Sequence, residues 1–142
     1  MKDHFRKLEN MYHSAPVNQF YSPRLRVAQG NSTLTMEVRE EFFHAAGALH
    51  GSVYFKAPDD AAFFAVNSLV PGHFVVTVSF NIYLLRPVQS GTLRSEGTVT
   101  SETKSLFVAD AGLYLDDDRV VARGSGSFMR SRVPLNSIES YG

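Results

Sequence analysis

His50-Gly51 and Asp59-Asp60 are the residues of this chain whose types and spacing suit chemistry. They lie in one stretch, His44 to Ser68, that opens with small and polar residues and then becomes a long apolar segment. Lys56, the two carboxylates and Asn67 interrupt it. Gly51 and Ser52 suit a helix start, where a small residue lets the backbone approach a ligand. Unpaired N–H groups at such an end point outward and carry partial positive charge. They can bind an anion or hold a carbonyl oxygen as it becomes negative. A carboxylate nearby can act as base or nucleophile on that carbonyl. The spacing fits acyl transfer, in which one such donor contributes roughly 3 kcal/mol to the transition state. The plainer reading makes His-Gly an ordinary helix start and the two aspartates capping or dipole residues. A two-His, one-carboxylate metal set of His44, His50 and Asp59 has a His spacing of no standard motif, and no metal is expected.

One helix has to carry these groups. From Val53 to Val70 apolar residues lie nearly all round the cylinder, which predicts a buried helix. Pro58 removes one helical hydrogen bond and predicts a kink. Alternatively the long helix starts afresh there, with Pro58 in first position and Asp59 and Asp60 in the first turn. Pro71-Gly72 ends it in either case.

The remaining elements supply cover. Phe5, Leu8, Met11 and Tyr12 give Lys2 to His13 the spacing of a short amphipathic helix that caps a sheet edge. Ala15 to Pro23 holds two prolines and reads as irregular, with Phe20 and Tyr21 as anchors. Arg24 to Ala28 and Thr33 to Val38 form a hairpin across Gly30-Asn31-Ser32, and Arg39-Glu-Glu41 is its solvated end. After the helix come four strand-like runs. His73 to Arg86 spans about 40 Å, with Val76, Val78, Phe80, Ile82 and Leu84 on one face and Thr77, Ser79, Asn81 and Tyr83 on the other. Thr92 to Glu102, Leu106 to Leu115 and Val120 to Met129 complete a meander, and Gly124 and Gly126 mark close packing or a bulge. Arg130 to Gly142 reads as a frayed polar tail. A helix apolar all round needs cover that one sheet cannot supply, so the free face is expected to meet a second copy of the chain.

Composition narrows the partners. The 142 residues fit one domain, residues 1–142, with a real core. Fourteen basic and fourteen acidic residues balance, so the basic face of a nucleic-acid binder is not expected. With no cysteine, thiolate chemistry and disulfides are excluded. Met1 to Lys7 lacks the apolar core of a secretion signal, and no apolar run is long enough to cross a bilayer. A soluble cytoplasmic domain is expected.

Gly47-x-x-His50-Gly51 followed by Asp59-x-Ala61 resembles the hot-dog-fold acyl-CoA thioesterases of the phenylacetate-pathway (PaaI-like) type. Phe80-x-x-x-Leu84-Leu85-Arg86-Pro87-x-x-x-Gly91 and Val121-Ala122-x-Gly124-x-Gly126-x-Phe128 extend the likeness across residues 24–129. The resemblance implies an α+β hot-dog fold, an antiparallel sheet wrapped around one long central helix. It implies a homodimer that often pairs into a homotetramer, hydrolysing an acyl-CoA thioester with no cofactor beyond the CoA of its substrate. By the same resemblance, the Gly51 amide polarises the thioester carbonyl and His50 orients the substrate or its loop. Asp59, contributed across the dimer interface, is nucleophile or general base, with Asp60 the fallback carboxylate. Thr77 sits near the attacking water. His44 stands where many members carry Asn or Gln, Ser52 replaces a usual second glycine, and Lys56-Ala57-Pro58 replaces a smooth apolar turn. Those departures leave room for a non-catalytic acyl-CoA-binding module, and less so for a hydroxyacyl-thioester dehydratase.

Overall fold

In the computed structural model, which describes residues 2–142, the helix expected after His50 runs unbroken from Gly51 to Asn67 (α3). Pro58 lies inside it, and the helix does not start afresh there. The proline cannot donate to the carbonyl four residues back, and burial of its ring offsets that loss. Asp59 and Asp60 therefore sit in the third turn of α3, not in the first.

Two helices precede the sheet. The amphipathic spacing of residues 2–13 forms α1 (Lys2–Ser14), which buries Phe5, Leu8, Met11 and Tyr12. The segment expected to be irregular winds into a short α2 (Pro16–Tyr21). Pro16 stands in its first turn, where a missing N–H costs nothing, and Ser22 ends it with φ 52°. Phe20 meets the Phe42 ring edge-on and Tyr21 packs tilted against it; Phe42 follows the hairpin in a single 3-10 turn, Glu40–Phe42.

Six strands make one antiparallel sheet: β1 (Arg24–Ala28), β2 (Asn31–Glu37), β3 (His73–Leu84), β4 (Thr92–Glu102), β5 (Phe107–Tyr114) and β6 (Val120–Pro134). Their spatial order is β1-β2-β4-β5-β6-β3. The sheet packs around α3, as the hot-dog class requires. The expected four-stranded meander holds for β4, β5 and β6 only. After α3 the chain crosses to the far edge, where β3 pairs with β6 and leaves its other side unpaired. The expected polar tail continues β6 to Pro134 and closes in two 3-10 turns that bury Leu135. Tyr141 then reaches His4, whose Nε2–H donates to the Asn67 carbonyl (2.9 Å) while Nδ1 accepts the Tyr141 hydroxyl (2.6 Å). His4 of α1 and Tyr141 thus meet at the C-terminus of α3. No helix among the described residues is long and apolar enough to cross a membrane.

Small residues set how closely α3 lies on the sheet. Ser32 of β2 donates to the Ala61 carbonyl (2.6 Å), and its cross-strand partner Gly97 leaves no room for a side chain. A Cβ on Gly97 would stand 2.3 Å from the Ala61 carbonyl oxygen. Gly97→Ala is therefore expected to cost about 3 kcal/mol of stability, read by urea unfolding, because backbone on both sides must move. Gly124 and Gly126 answer to a different neighbour: the Phe80 ring lies over both, 2.5 Å from where either Cβ would be.

Candidate active site

Alternation along β3 places Thr77 with Ser79 on the face away from the helix, but the structure reverses this. Thr77 pairs with Phe128 and Ser79 with Ser127, so two steps on β3 match one on β6. Val78 is the extra residue of a β-bulge, the device by which a strand re-aims a side chain. Thr77 consequently shares the helix-facing side with Phe80 and Ile82, and Val76 turns to the outer side beside Met129. From there the Thr77 hydroxyl donates to Asp59 Oδ1 at 3.0 Å.

Asp59 belongs to the one stripe of α3 that its own chain leaves open. Helical spacing aligns Ser52, Phe55 and Asp59; Ser52 and Phe55 are exposed, and the Phe55 ring meets Phe80 edge-on. The opposite flank is covered by α1 and α2, through the rings of Tyr12 and Tyr21, while the sheet covers the rest. The expectation that a second copy must cover everything beyond the sheet thus narrows to this single stripe. Burial raises the Asp59 carboxyl to about 6; the Thr77 hydrogen bond opposes the rise, Asp60 adds to it and Lys56 subtracts. An acid raised in the fold stabilises the protein only while protonated, below its unfolded value of 3.8, and loses that contribution as pH rises through about 6. Asp59→Asn is accordingly expected to be more stable than the parent by about 2 kcal/mol at pH 8 and indistinguishable near pH 3, as measured by thermal unfolding.

Asp60, the fallback carboxylate, faces the covered flank. Its Oδ2 accepts from Lys56 Nζ (2.8 Å) and from the Tyr12 hydroxyl (2.7 Å), a structural engagement that leaves Asp59 as the carboxylate on the open stripe.

The helix start forms a second group. His50 caps α3 through its side chain, Nδ1 accepting the Ser52 N–H at 3.0 Å and facing Ser52 Oγ at 2.8 Å. The Gly51 N–H has no hydrogen-bond partner among the described residues. A pocket of about 360 Å³ opens beside it, lined by His44, Leu49, Gly51, Tyr54, Leu84 and Arg86. A tight turn holds His44 at its rim: Gly47, at φ 81°, donates to the His44 carbonyl, and His44 Nδ1 accepts the Ala46 N–H. Tyr54 donates to the Arg86 carbonyl (2.7 Å) and pins the end of β3 over the same pocket.

The residues named from sequence therefore fall into two clusters, His44, His50 and Gly51 at one end and Asp59 and Thr77 at the other. Eight steps along α3, from Gly51 to Asp59, part them, about 12 Å of helix rise. No single thioester group reaches both within one chain. The same separation dismantles the two-His, one-carboxylate metal set, and no three His, Asp or Glu residues gather as a metal site among the described residues. Lys56 and Tyr12 were not singled out for the site from sequence. The Lys56–Asp60 spacing of four on a helix was the available signal for one; nothing in the primary pattern pointed to Tyr12.

Residues 46–122, more than half of the chain, match the family model described as thioesterase superfamily. A Saccharolobus solfataricus protein that carries an esterase designation is 32% identical over 73% of this chain and 69% of its own length. Among solved structures, the Escherichia coli PaaI protein of the phenylacetic acid degradation operon superposes with a TM-score of 0.85, 22% identity and coverage of 94% and 96% of the two chains. A Haemophilus influenzae thioesterase superposes at 0.77 with 19% identity, covering 84% of this chain and 85% of that one.

Proposed function

The chain belongs to the thioesterase superfamily, with the hot-dog fold of its PaaI-like members, and from that premise we propose that it hydrolyses acyl-CoA thioesters at sites built by two copies. Thioester hydrolysis as a class follows from the family, and CoA is the carrier proposed for it. The observation that carries it is the pairing of a raised carboxyl with a bulge-aimed hydroxyl on the open stripe of α3, about 12 Å along the helix from a free backbone donor. Two antiparallel copies of α3 would bring the Asp59 of one chain against the Gly51 of the other.

The unpaired strand supports the same arrangement. β3 is a twelve-residue edge with Val78 56% and Leu84 51% exposed, the kind of edge that recruits another strand. Pairing with the β3 of a second copy would join the sheets and close both open stripes at once. A homodimer is therefore the minimal active unit of the proposal, and a homotetramer its further assembly.

In the reaction, Thr77 occupies Oδ1 of Asp59 and leaves Oδ2 for a water. Asp59 takes a proton from that water as its oxygen attacks the thioester carbon. The carbonyl oxygen becomes an oxyanion and the Gly51 N–H holds it. His50 keeps that donor in place by capping the turn, and His44 lines the pocket mouth. The intermediate collapses with cleavage of the C–S bond, and the leaving thiolate recovers the proton from Asp59. Charge and protons balance without any cofactor.

The direct test is thiol release from a panel of acyl-CoAs of differing chain length and aromaticity. Release of CoA thiol from at least one member is expected. Acyl-CoA recovered uncleaved after saturable binding, or conversion of a 3-hydroxyacyl-CoA to an enoyl product, would reject hydrolysis.

A further inference from the structure

Lys56 and Asp60 take no part in the steps above, yet they are the least exposed ion pair not involving Glu9. Their side chains are 15% and 19% exposed, and they meet at 2.8 Å one turn apart on α3. The N-terminal helices complete the cluster. Tyr12 of α1 donates to the same Asp60 oxygen at 2.7 Å, and Lys56 Nζ lies 5.7 Å from the Tyr12 ring centre and 4.9 Å from that of Tyr21 in α2. Burial and the neighbouring Asp60 raise the Tyr12 hydroxyl, so it remains a donor at any working pH. Three elements therefore converge on one charge pair, and Asp59 is the residue next to it.

Resting on the reading of Asp59 as the reactive carboxylate, we propose that Lys56, Asp60 and Tyr12 form a clasp through which the N-terminal helices fix the electrostatic environment of Asp59. Lys56 and Asp60 are positioning residues that touch no substrate. They hold opposite charges three positions before and one after Asp59, on the flank that α1 and α2 cover. The charged or titratable groups that bear on Asp59 are Lys56 and Asp60 from its own helix and Tyr12 from α1; β3 contributes the neutral Thr77. Since the pair is partly withdrawn from water, its field on Asp59 is less screened than that of a surface pair.

Opposite charges make opposite predictions. Asp60→Asn removes a neighbouring negative charge and is expected to lower the midpoint of Asp59 ionisation by about one pH unit. Lys56→Met removes the positive charge and is expected to raise it by a similar amount, with Lys56→Arg restoring the parent value. Tyr12→Phe keeps the ring and withdraws only the hydroxyl from Asp60, giving a smaller upward shift. The midpoint is read from the Asp59 carboxyl carbon by NMR in the full chain, and in parallel from the acid limb of kcat/KM. Shifts of the same sign in Asp60→Asn and Lys56→Met, or none in folded variants, would overturn the clasp and leave a purely structural pair. Tyr12→Phe keeps the test decisive if a charge variant fails to fold. The carboxyl titration is independent of turnover: a parent with no thioesterase activity defeats the hydrolytic reading alone.

Discussion

Asp59→Ala is expected to lower kcat/KM about a thousand-fold, roughly 4 kcal/mol of transition-state stabilisation, while the fold survives. The size follows from the task assigned to the carboxylate, proton removal from a water that is a poor nucleophile when neutral. Survival follows from the packing, since the Asp59 side chain accepts one hydrogen bond, from an exposed threonine, and sits on the stripe its own chain leaves open. The parent should lose activity on an acid limb near pH 6, where the raised carboxyl takes up its proton. Steady-state thiol release across pH 4.5–8, paired with circular dichroism, measures both effects. Near-parent turnover in the alanine variant would remove Asp59 from the mechanism.

Gly51→Pro is expected to lower kcat about a hundred-fold or more by deleting a single N–H. The substitution is unusually clean at this position. Gly51 is the first residue of α3, where proline is tolerated, and His50 before it is already extended at φ −67° and ψ 144°, as a residue preceding proline must be. The nearest obstacle to an added Cβ is the flexible end of Leu84 at 3.4 Å. Mixing this variant with Asp59→Ala tests the shared site. If each site takes its donor from one copy and its carboxylate from the other, random reassortment makes half the dimers mixed. Each mixed dimer then holds one site with both groups intact, so activity should return to about a quarter of the parent value. Two inactive proteins that stay inactive after unfolding and co-refolding would show that each site draws on one chain alone.

The periodicity of Val53 to Val70 announced a buried helix, and the alternation of Thr92 to Glu102 and Leu106 to Leu115 announced strands, because those patterns record which side meets the core. The two prolines of Ala15 to Pro23 suggest an irregular segment, yet α2 forms there because proline bars a helix interior but suits its first turn. Arg130 and Arg132 give the tail a solvated look, while the backbone hydrogen bonds that extend β6 to Pro134 leave no mark in side-chain polarity.

By itself the sequence determined the fold class, the family likeness, and the residue types available for chemistry, since these depend on local periodicity and short spacings. Tertiary structure alone decided which of those residues can act together. A one-residue bulge at Val78 turned Thr77 toward Asp59, a contact with α1 occupied Asp60, and the rise of α3 set the backbone donor 12 Å from the acid. Each outcome depends on register or on pairing between elements far apart in the chain. A period-two or period-3.6 pattern stays almost unchanged when a strand gains one residue, although every side chain beyond that point changes face.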